Sequence, residues 1–168
     1  MSFDEVYKKH YKELRILSRR LNISSEKRDD LIQETFLRFY LELEKNVEFI
    51  NPRAWLYKVF LNLFKTQVNS EKRVIQNDGE PEGLADNVYD LQAEYINNEK
   101  EHIVIESLNR LPLKDSEILL LYNNGFSYAE MAEIMEINPN SVGTTLVRAI
   151  EKLKGVLKNH YHELFEQN

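Results

Sequence analysis

Apolar residues recur at three- and four-residue spacing along most of the chain, as they do in helices with one buried side. In the first segment this stripe consists of Phe3, Val6, Tyr7, Tyr11, Leu14, Leu17 and Leu21. Turn-forming residues at 22–25 predict the start of a second helix, over about 26–45. Asn51 and Pro52 predict the N-cap and first turn of a third helix, which is apolar on nearly all sides from 54 to 68. Because no strand pattern rises above this background, the sequence predicts an all-α protein.

The second predicted helix has apolar residues on two opposite sides. At 100° per residue, the predicted core side holds Ile32, Thr35, Phe36, Phe39 and Leu43. The other side mixes acidic, amide and apolar side chains: Asp30, Gln33, Glu34, Leu37 and Leu41. Leucines on an outer face are typical of a surface that docks on another protein.

The third predicted helix carries one polar interruption in an otherwise apolar surface. Lys58, Asn62 and Lys65 stand at positions i, i+4 and i+7, so a helix places them in one narrow strip. This strip is positively charged.

Two consecutive helix starts near the C-terminus are separated by a short connection. Gly125 predicts the end of one helix, and a capping box at 127–130 begins the next, over about 128–135. Asn138 and Pro139 then repeat the N-cap signal, which leaves about three residues between the helices, as in a helix-turn-helix. A plain helical hairpin with a polar outer face has the same spacing.

The last predicted helix separates apolar from polar side chains. Its predicted core side consists of Val142, Leu146, Ala149 and Leu153. Near its start stand small hydrogen-bonding residues, followed by one base: Asn140, Ser141, Thr144, Thr145 and Arg148. Such residues at the N-terminal end are typical of a helix that enters the major groove of DNA.

Composition excludes several kinds of site. The 168 residues include no cysteine and only 4 histidines, which excludes disulfides, thiolate chemistry and a Cys/His metal cluster. Without a glycine-rich phosphate loop or a His/Asp pair at catalytic spacing, we predict a protein that is not an enzyme and has no cofactor. No apolar run reaches the roughly 18 residues of a membrane span, and the first residues lack a signal-peptide pattern, which favours a cytoplasmic protein.

Charge is distributed in three blocks. Residues 1–73 hold 15 bases and 11 acids, residues 74–99 hold 7 acids and no base, and residues 100–168 hold 7 bases and 10 acids. The net charge of −6 is unusual for a protein that binds nucleic acid by itself. We therefore predict two helical domains, 1–73 and 100–168, joined by a flexible acidic linker at 74–99.

The chain resembles the extracytoplasmic-function group (group 4) of the bacterial sigma-70 family. The resemblance lies in three segments: DDLIQETFLRFY, NPRAWLYKVFLNLFK and LNRLPLKDSEILLLYNNGFSYAEMAEIMEINPNSVGTTLVRAIEKL. It implies a sigma factor that binds the core of RNA polymerase, through the beta-prime and beta subunits, and directs promoter recognition. It also implies a cognate anti-sigma factor as a partner.

The resemblance assigns roles to particular residues. The family's core-binding pattern falls on Asp30, Leu31, Gln33 and Glu34, and Leu37 and Leu41 extend that face. The family's minus-ten element is bound by the segment corresponding to about 47–66, where the candidate contacts are Phe49, Asn51, Arg53, Lys58, Asn62 and Lys65. Trp55 is expected in the core. The candidate minus-thirty-five contacts are Asn140, Ser141, Thr144, Thr145 and Arg148.

The second helix of the helix-turn-helix departs from the family pattern. Basic residues are common in the family at the positions of Gly143, Thr145 and Val147, and only Arg148 remains of that set. Two alternatives therefore stay open: a sigma-like regulator that binds polymerase without choosing promoters, and an autonomous helix-turn-helix regulator. The linker is either a solvated tether or a segment that enters a positively charged channel of polymerase.

Overall fold

A computed structural model describes residues 1–77 and 99–165. Within these ranges the chain forms helices and no strand, as the sequence predicted, and it divides into two compact units. The first unit is built from α1 (Phe3–Arg20), α2 (Ser25–Glu44) and α3 (Pro52–Asn77). The second is built from α4 (Glu99–Asn109), α5 (Leu113–Asn123), α6 (Tyr128–Met135) and α7 (Pro139–Phe165).

Helix α3 is longer than its apolar pattern predicted. It continues through residue 77, so the first four residues of the predicted linker are helical. The sequence has no glycine or proline between Pro52 and Gly79, so no helix-breaking residue interrupts α3 before its end at Asn77. The rest of the predicted linker, residues 78–98, lies outside the described residues.

The N-terminal unit has its core where α1, α2 and α3 meet. On α2 the predicted core side is inward, with Ile32, Thr35, Phe36 and Phe39 buried and Leu43 partly buried. The hydroxyl of Thr35 donates a hydrogen bond of 2.7 Å to the carbonyl of Leu31, which satisfies this buried polar group. The unit's other buried apolar residues are Val6, Leu14, Leu17, Ile23, Leu31, Ala54, Leu56, Tyr57, Phe60 and Leu61.

The C-terminal unit packs three helices around the inner side of α7. Val142, Leu146 and Ala149 of α7 are buried, together with Ile118 and Leu121 of α5. An ion pair reinforces this packing, because Lys152 Nζ lies 2.6 Å from Oδ2 of the buried Asp115. None of the described helices is long and apolar enough to cross a membrane.

Candidate protein-docking and nucleic-acid interfaces

The outer face of α2 exposes most of the residues predicted to dock on a protein. Asp30 and Gln33 are exposed, and Leu37 and Leu41 are 51% and 48% exposed. Glu34 is partly exposed and accepts a 2.7 Å hydrogen bond from Nε of Arg38, its neighbour one turn later. This outer face therefore combines acidic groups with two uncovered leucines.

Leu31 does not belong to the outer face. Its side chain is only 7% exposed and lies in the core of the N-terminal unit. The reason is its helical angle, since Leu31 stands 120° from Leu37 around the axis of α2. Leu31 therefore contributes to packing within the unit.

An aromatic residue that the sequence analysis left out extends the outer face of α2. Tyr40 is 43% exposed and stands 60° from Leu37 around the helix axis. Its ring packs edge-on against Phe3 of α1, with centroids 5.6 Å apart. Tyr40 follows Leu37 by three residues, and this helical spacing could have predicted from sequence that the two side chains share a face.

The loop before α3 buries one predicted contact and exposes its neighbour. Phe49 is partly buried, with its ring centroid 4.7 Å from that of Phe39 and 5.2 Å from that of Trp55. Trp55, expected in the core, packs against Phe39 but remains partly exposed. Ile50, which sequence analysis did not single out, is fully exposed. The apolar side chains that this loop exposes are therefore Ile50 and Val47, which is 40% exposed.

Asn51 caps α3. Its Oδ1 accepts a 3.0 Å hydrogen bond from the backbone N–H of Ala54, and its carbonyl accepts one from Trp55. These bonds satisfy N–H groups that the first turn of a helix leaves without internal partners. The predicted N-cap is confirmed.

Arg53 joins α3 to α1. Its Nε lies 2.7 Å from Oε2 of Glu13, and its guanidinium carbon lies 5.5 Å from the ring centroid of Tyr57. Partial burial disfavours the Glu13 carboxylate, but the hydrogen bonds and charges of Arg53 and His10 together outweigh it and hold the pKa of Glu13 below its ordinary value of 4.5. The side chain of Arg53 remains 31% exposed, so part of it is accessible beside the start of α3.

The positive strip of α3 is present as predicted from spacing. Lys58, Asn62 and Lys65 lie in one unbroken helix and are all partly exposed. Thr66, the next residue, turns its hydroxyl back to the carbonyl of Asn62 at 2.9 Å. The strip has the charge and the hydrogen-bonding groups needed to contact a phosphate backbone or unpaired bases.

The helix-turn-helix has the predicted connection. Ser127 and Glu130 form both hydrogen bonds of a capping box at the start of α6. Glu136 ends that helix in the left-handed conformation, with φ of 55°. Asn138 then caps α7, where its Oδ1 accepts a 2.9 Å bond from the backbone N–H of Asn140. Three residues therefore separate the two helices.

Glycine closes the helix before this motif. Gly125 has φ of 77°, its N–H bonds the carbonyl of Tyr122, and the N–H of Phe126 bonds that of Leu121. These are the two bonds of a Schellman motif, and the buried Phe126 supplies its apolar contact. Gly125 therefore fixes the direction in which the chain enters the helix-turn-helix.

The outer side of α7 carries few charges that are available to DNA. Of the predicted contacts, Thr145 is partly buried. The other four are exposed: Asn140, Ser141, Thr144 and Arg148. Lys152 is bound to Asp115, and Lys154 Nζ lies 3.3 Å from Glu151. Arg148 has no ion-pair partner among the described side chains.

Two apolar side chains on this surface were missed as contacts. Val147 is 59% exposed and Tyr128, at the start of α6, is 49% exposed. A methyl group built on Gly143 would lie 3.5 Å from Cε2 of Tyr128, an ordinary contact distance. The Tyr128 ring therefore lies beside the second turn of α7.

Two family models match the chain, one in each helical unit. Sigma-70 region 2 matches residues 6–74, and Sigma-70, region 4 matches residues 101–153. The second match contains the helix-turn-helix. Among the described side chains, no group of three or more His, Asp or Glu residues could hold a metal ion.

Relatives and solved structures agree with these matches. The chain is 29% identical over 170 residues to the RNA polymerase sigma factor YlaC of Bacillus subtilis strain 168, covering 96% of each chain. It is 28% identical over 149 residues to the ECF RNA polymerase sigma factor EcfG of Rhodopseudomonas palustris strain TIE-1, covering 86% of this chain and 78% of the relative. Its fold is similar to that of the sigma factor RpoE from Bartonella quintana, solved in complex with the anti-sigma factor NepR. There the TM-score is 0.75 and the identity 25%, over 93% of this chain and 96% of that chain.

Proposed function

The chain belongs to the sigma-70 family of RNA polymerase sigma factors, in the extracytoplasmic-function group, and from this membership we propose how its two helical units share promoter selection. The observation that carries the function is the order of the two matches, region 2 at 6–74 and region 4 at 101–153, each on its own helical unit. The protein acts by binding polymerase and DNA rather than by catalysing a reaction, and it works in the cytoplasm, where polymerase and promoters are.

The outer face of α2 binds the polymerase core. Asp30, Gln33 and Glu34 supply polar contacts there, and the uncovered Leu37 and Leu41 supply apolar ones. When a partner covers these exposed leucines, binding becomes more favourable by about 25 cal/mol for each Å² of apolar surface removed from water. The beta-prime and beta subunits are the expected partners.

The N-terminal unit also binds the separated minus-ten strand. Its contacts are the strip of Lys58, Asn62 and Lys65, with the accessible part of Arg53 beside the start of α3. Phe49 packs against Trp55, and Asn51 caps α3, so both stabilise the start of the helix that carries these contacts. Lysines beside an amide suit a single strand, whose phosphates and unpaired bases are both accessible.

The helix-turn-helix binds the minus-thirty-five element through α7. Most non-specific DNA affinity comes from Lys and Arg that neutralise phosphates, and α7 offers few of them. The polymerase core supplies that attraction and positions the helix, so α7 has only to discriminate bases. Each good base contact contributes about 1–3 kcal/mol of discrimination. Its base contacts are Asn140, Ser141, Thr144, Thr145 and Arg148.

An anti-sigma factor holds the protein inactive until a signal releases it. This part of the proposal comes from the similar sigma factor RpoE, which was solved bound to the anti-sigma factor NepR. The faces used for polymerase and promoter are the surfaces that such a partner has to cover.

Run-off transcription tests the proposal directly. Purified core polymerase is incubated with a genomic promoter library, with and without the protein, and the 5′ ends of the transcripts are sequenced. We expect new start sites that share an upstream motif, and we expect Thr144→Ala and Arg148→Ala to weaken the upstream half of that motif. Tight core binding without new start sites would instead identify a polymerase-binding regulator that does not choose promoters.

A further inference from the structure

The side chain of Val147 is exposed, although an apolar side chain in water does not stabilise the fold. At 59% exposure it is the most exposed large apolar side chain among the described residues of the C-terminal unit. Its helix buries Val142, Leu146 and Ala149 on the opposite side, so Val147 adds nothing to the core. A β-branched residue is also a poorer helix former than the alanine, lysine or glutamate that usually occupies a solvated helix surface.

Val147 stands among the residues proposed to contact bases. Around the axis of α7 it lies 20° from Asn140 and 60° from Thr144, and Arg148 follows it directly. One turn before it, Gly143 has no side chain, and the Tyr128 ring lies beside that gap. The outer side of α7 therefore has an apolar strip, from Tyr128 past Gly143 to Val147, next to its hydrogen-bonding groups.

The major groove offers one matching apolar group. Each base edge there presents hydrogen-bond donors and acceptors, but only thymine also presents a methyl group, on C5. An apolar side chain among hydrogen-bonding ones on a helix in this groove is therefore complementary to thymine and to no other unmodified base. Arg148, adjacent to the valine, favours a nucleic-acid partner over an apolar protein surface because it can bind the neighbouring phosphate or base.

We propose that Val147 contacts the 5-methyl group of a thymine in the minus-thirty-five element and makes thymine the preferred base at that position. The proposal rests on the promoter-binding role of the helix-turn-helix given above. It adds a residue that selects by an apolar contact to the hydrogen-bonding contacts already assigned.

Removal of the thymine methyl group tests the contact. The upstream element is first defined by selection from a randomised library with the complete holoenzyme. Each thymine in it is then replaced singly by deoxyuridine, which keeps every hydrogen bond and lacks only the methyl group. At one position we expect wild-type affinity to fall about fourfold, the effect of losing one buried methyl group. At that position Val147→Ala should bind thymine and uracil equally.

A second valine provides a matched control. Val104 on α4 is also exposed, at 42%, and lies outside the proposed DNA surface, so Val104→Ala should keep the full response to deoxyuridine. Equal responses of the wild type and Val147→Ala at every thymine would overturn the proposal while leaving promoter binding intact. If Val147→Ala instead weakens core binding, Val147 contacts polymerase and the proposal is wrong. If the holoenzyme selects no upstream element at all, the promoter-binding role fails, and this inference fails with it.

Discussion

Nε of Arg53 lies 2.7 Å from Oε2 of Glu13, and this ion pair ties the first turn of α3 to the middle of α1. The two residues are forty positions apart in sequence. His10 approaches the other oxygen of Glu13 at 3.2 Å, and the Tyr57 hydroxyl lies 3.4 Å from Oε2. The start of α3, the helix that carries the positive strip, is therefore held by a polar cluster in addition to apolar packing.

Loss of the Glu13 charge should make the N-terminal unit less stable. The pKa of Glu13 lies below 4.5 in the folded state, so its contribution is present above that pH and is lost as pH falls through the folded pKa. Because the pair is about one-third exposed, we expect Glu13→Gln to cost about 1 kcal/mol at neutral pH and to flatten the acid part of the profile. Urea denaturation from pH 3 to pH 7 measures both effects. Glu71→Gln breaks a more exposed pair with Lys27 and should change little.

Tyr57 should make the unit sensitive to alkali. Burial, with the negative charge of Glu13 nearby, raises the pKa of its hydroxyl to about 12 from the ordinary 10.0. A raised folded pKa stabilises the fold below the unfolded value, and this stabilisation is lost as pH rises from about 10 to about 12. We expect Tyr57→Phe to have a shallower loss of stability over that interval in thermal unfolding. A slope identical to that of the wild type would contradict this role, and the exposed Tyr40→Phe serves as the comparison.

Two leucines of α2 should respond differently to the same substitution. Leu37→Ala, alone or with Gln33→Ala, should weaken binding to core polymerase without unfolding the protein, since both side chains are exposed. Leu31→Ala should instead cost about 2–5 kcal/mol of stability, because it leaves a cavity in the core. Pull-down affinities and denaturation midpoints for the two variants separate the roles. Unchanged core affinity in Leu37→Ala would refute the docking face.

The Gly143→Ala variant should show whether promoter binding requires the backbone of α7 to approach DNA closely. A methyl group there would meet Tyr128 at ordinary contact distance, and alanine is a better helix former than glycine by about 1 kcal/mol. We therefore expect Gly143→Ala to stabilise the C-terminal unit by up to about that amount. If the glycine lets the backbone of α7 approach the bases, the same variant will lose promoter affinity as its melting temperature rises. Rising stability with unchanged affinity would show that the glycine has no part in binding.

The capping box of α6 should contribute measurably to the helix-turn-helix. Ser127 accepts from the backbone N–H of Glu130, and the Glu130 side chain accepts from that of Ser127. Ser127→Ala removes one of these two bonds and should destabilise the unit by about 1 kcal/mol. Thermal unfolding detects this change, and Ser141→Ala, on the exposed side of α7, provides a comparison that retains both bonds.

Local signals in the sequence were enough to predict the helices and the helix-turn-helix. Apolar spacing predicted the inner sides of α2 and α7, and Ser127 with Asn138 marked the starts of α6 and α7. These features depend on residues within one or two turns of each other, so the local sequence indicates them without knowledge of how the helices pack. The family resemblance came from the same local segments.

The tertiary structure decided which candidate residues are accessible. The loop before α3 has no periodicity, and only packing against Phe39 and Trp55 shows that Phe49 turns inward while Ile50 is exposed. In the same way, Leu31 shares a family pattern with exposed neighbours but faces the core. Arg53 meets a carboxylate that no local signal could assign to it. These outcomes depend on contacts between residues distant in sequence, which exist only once the helices have packed together.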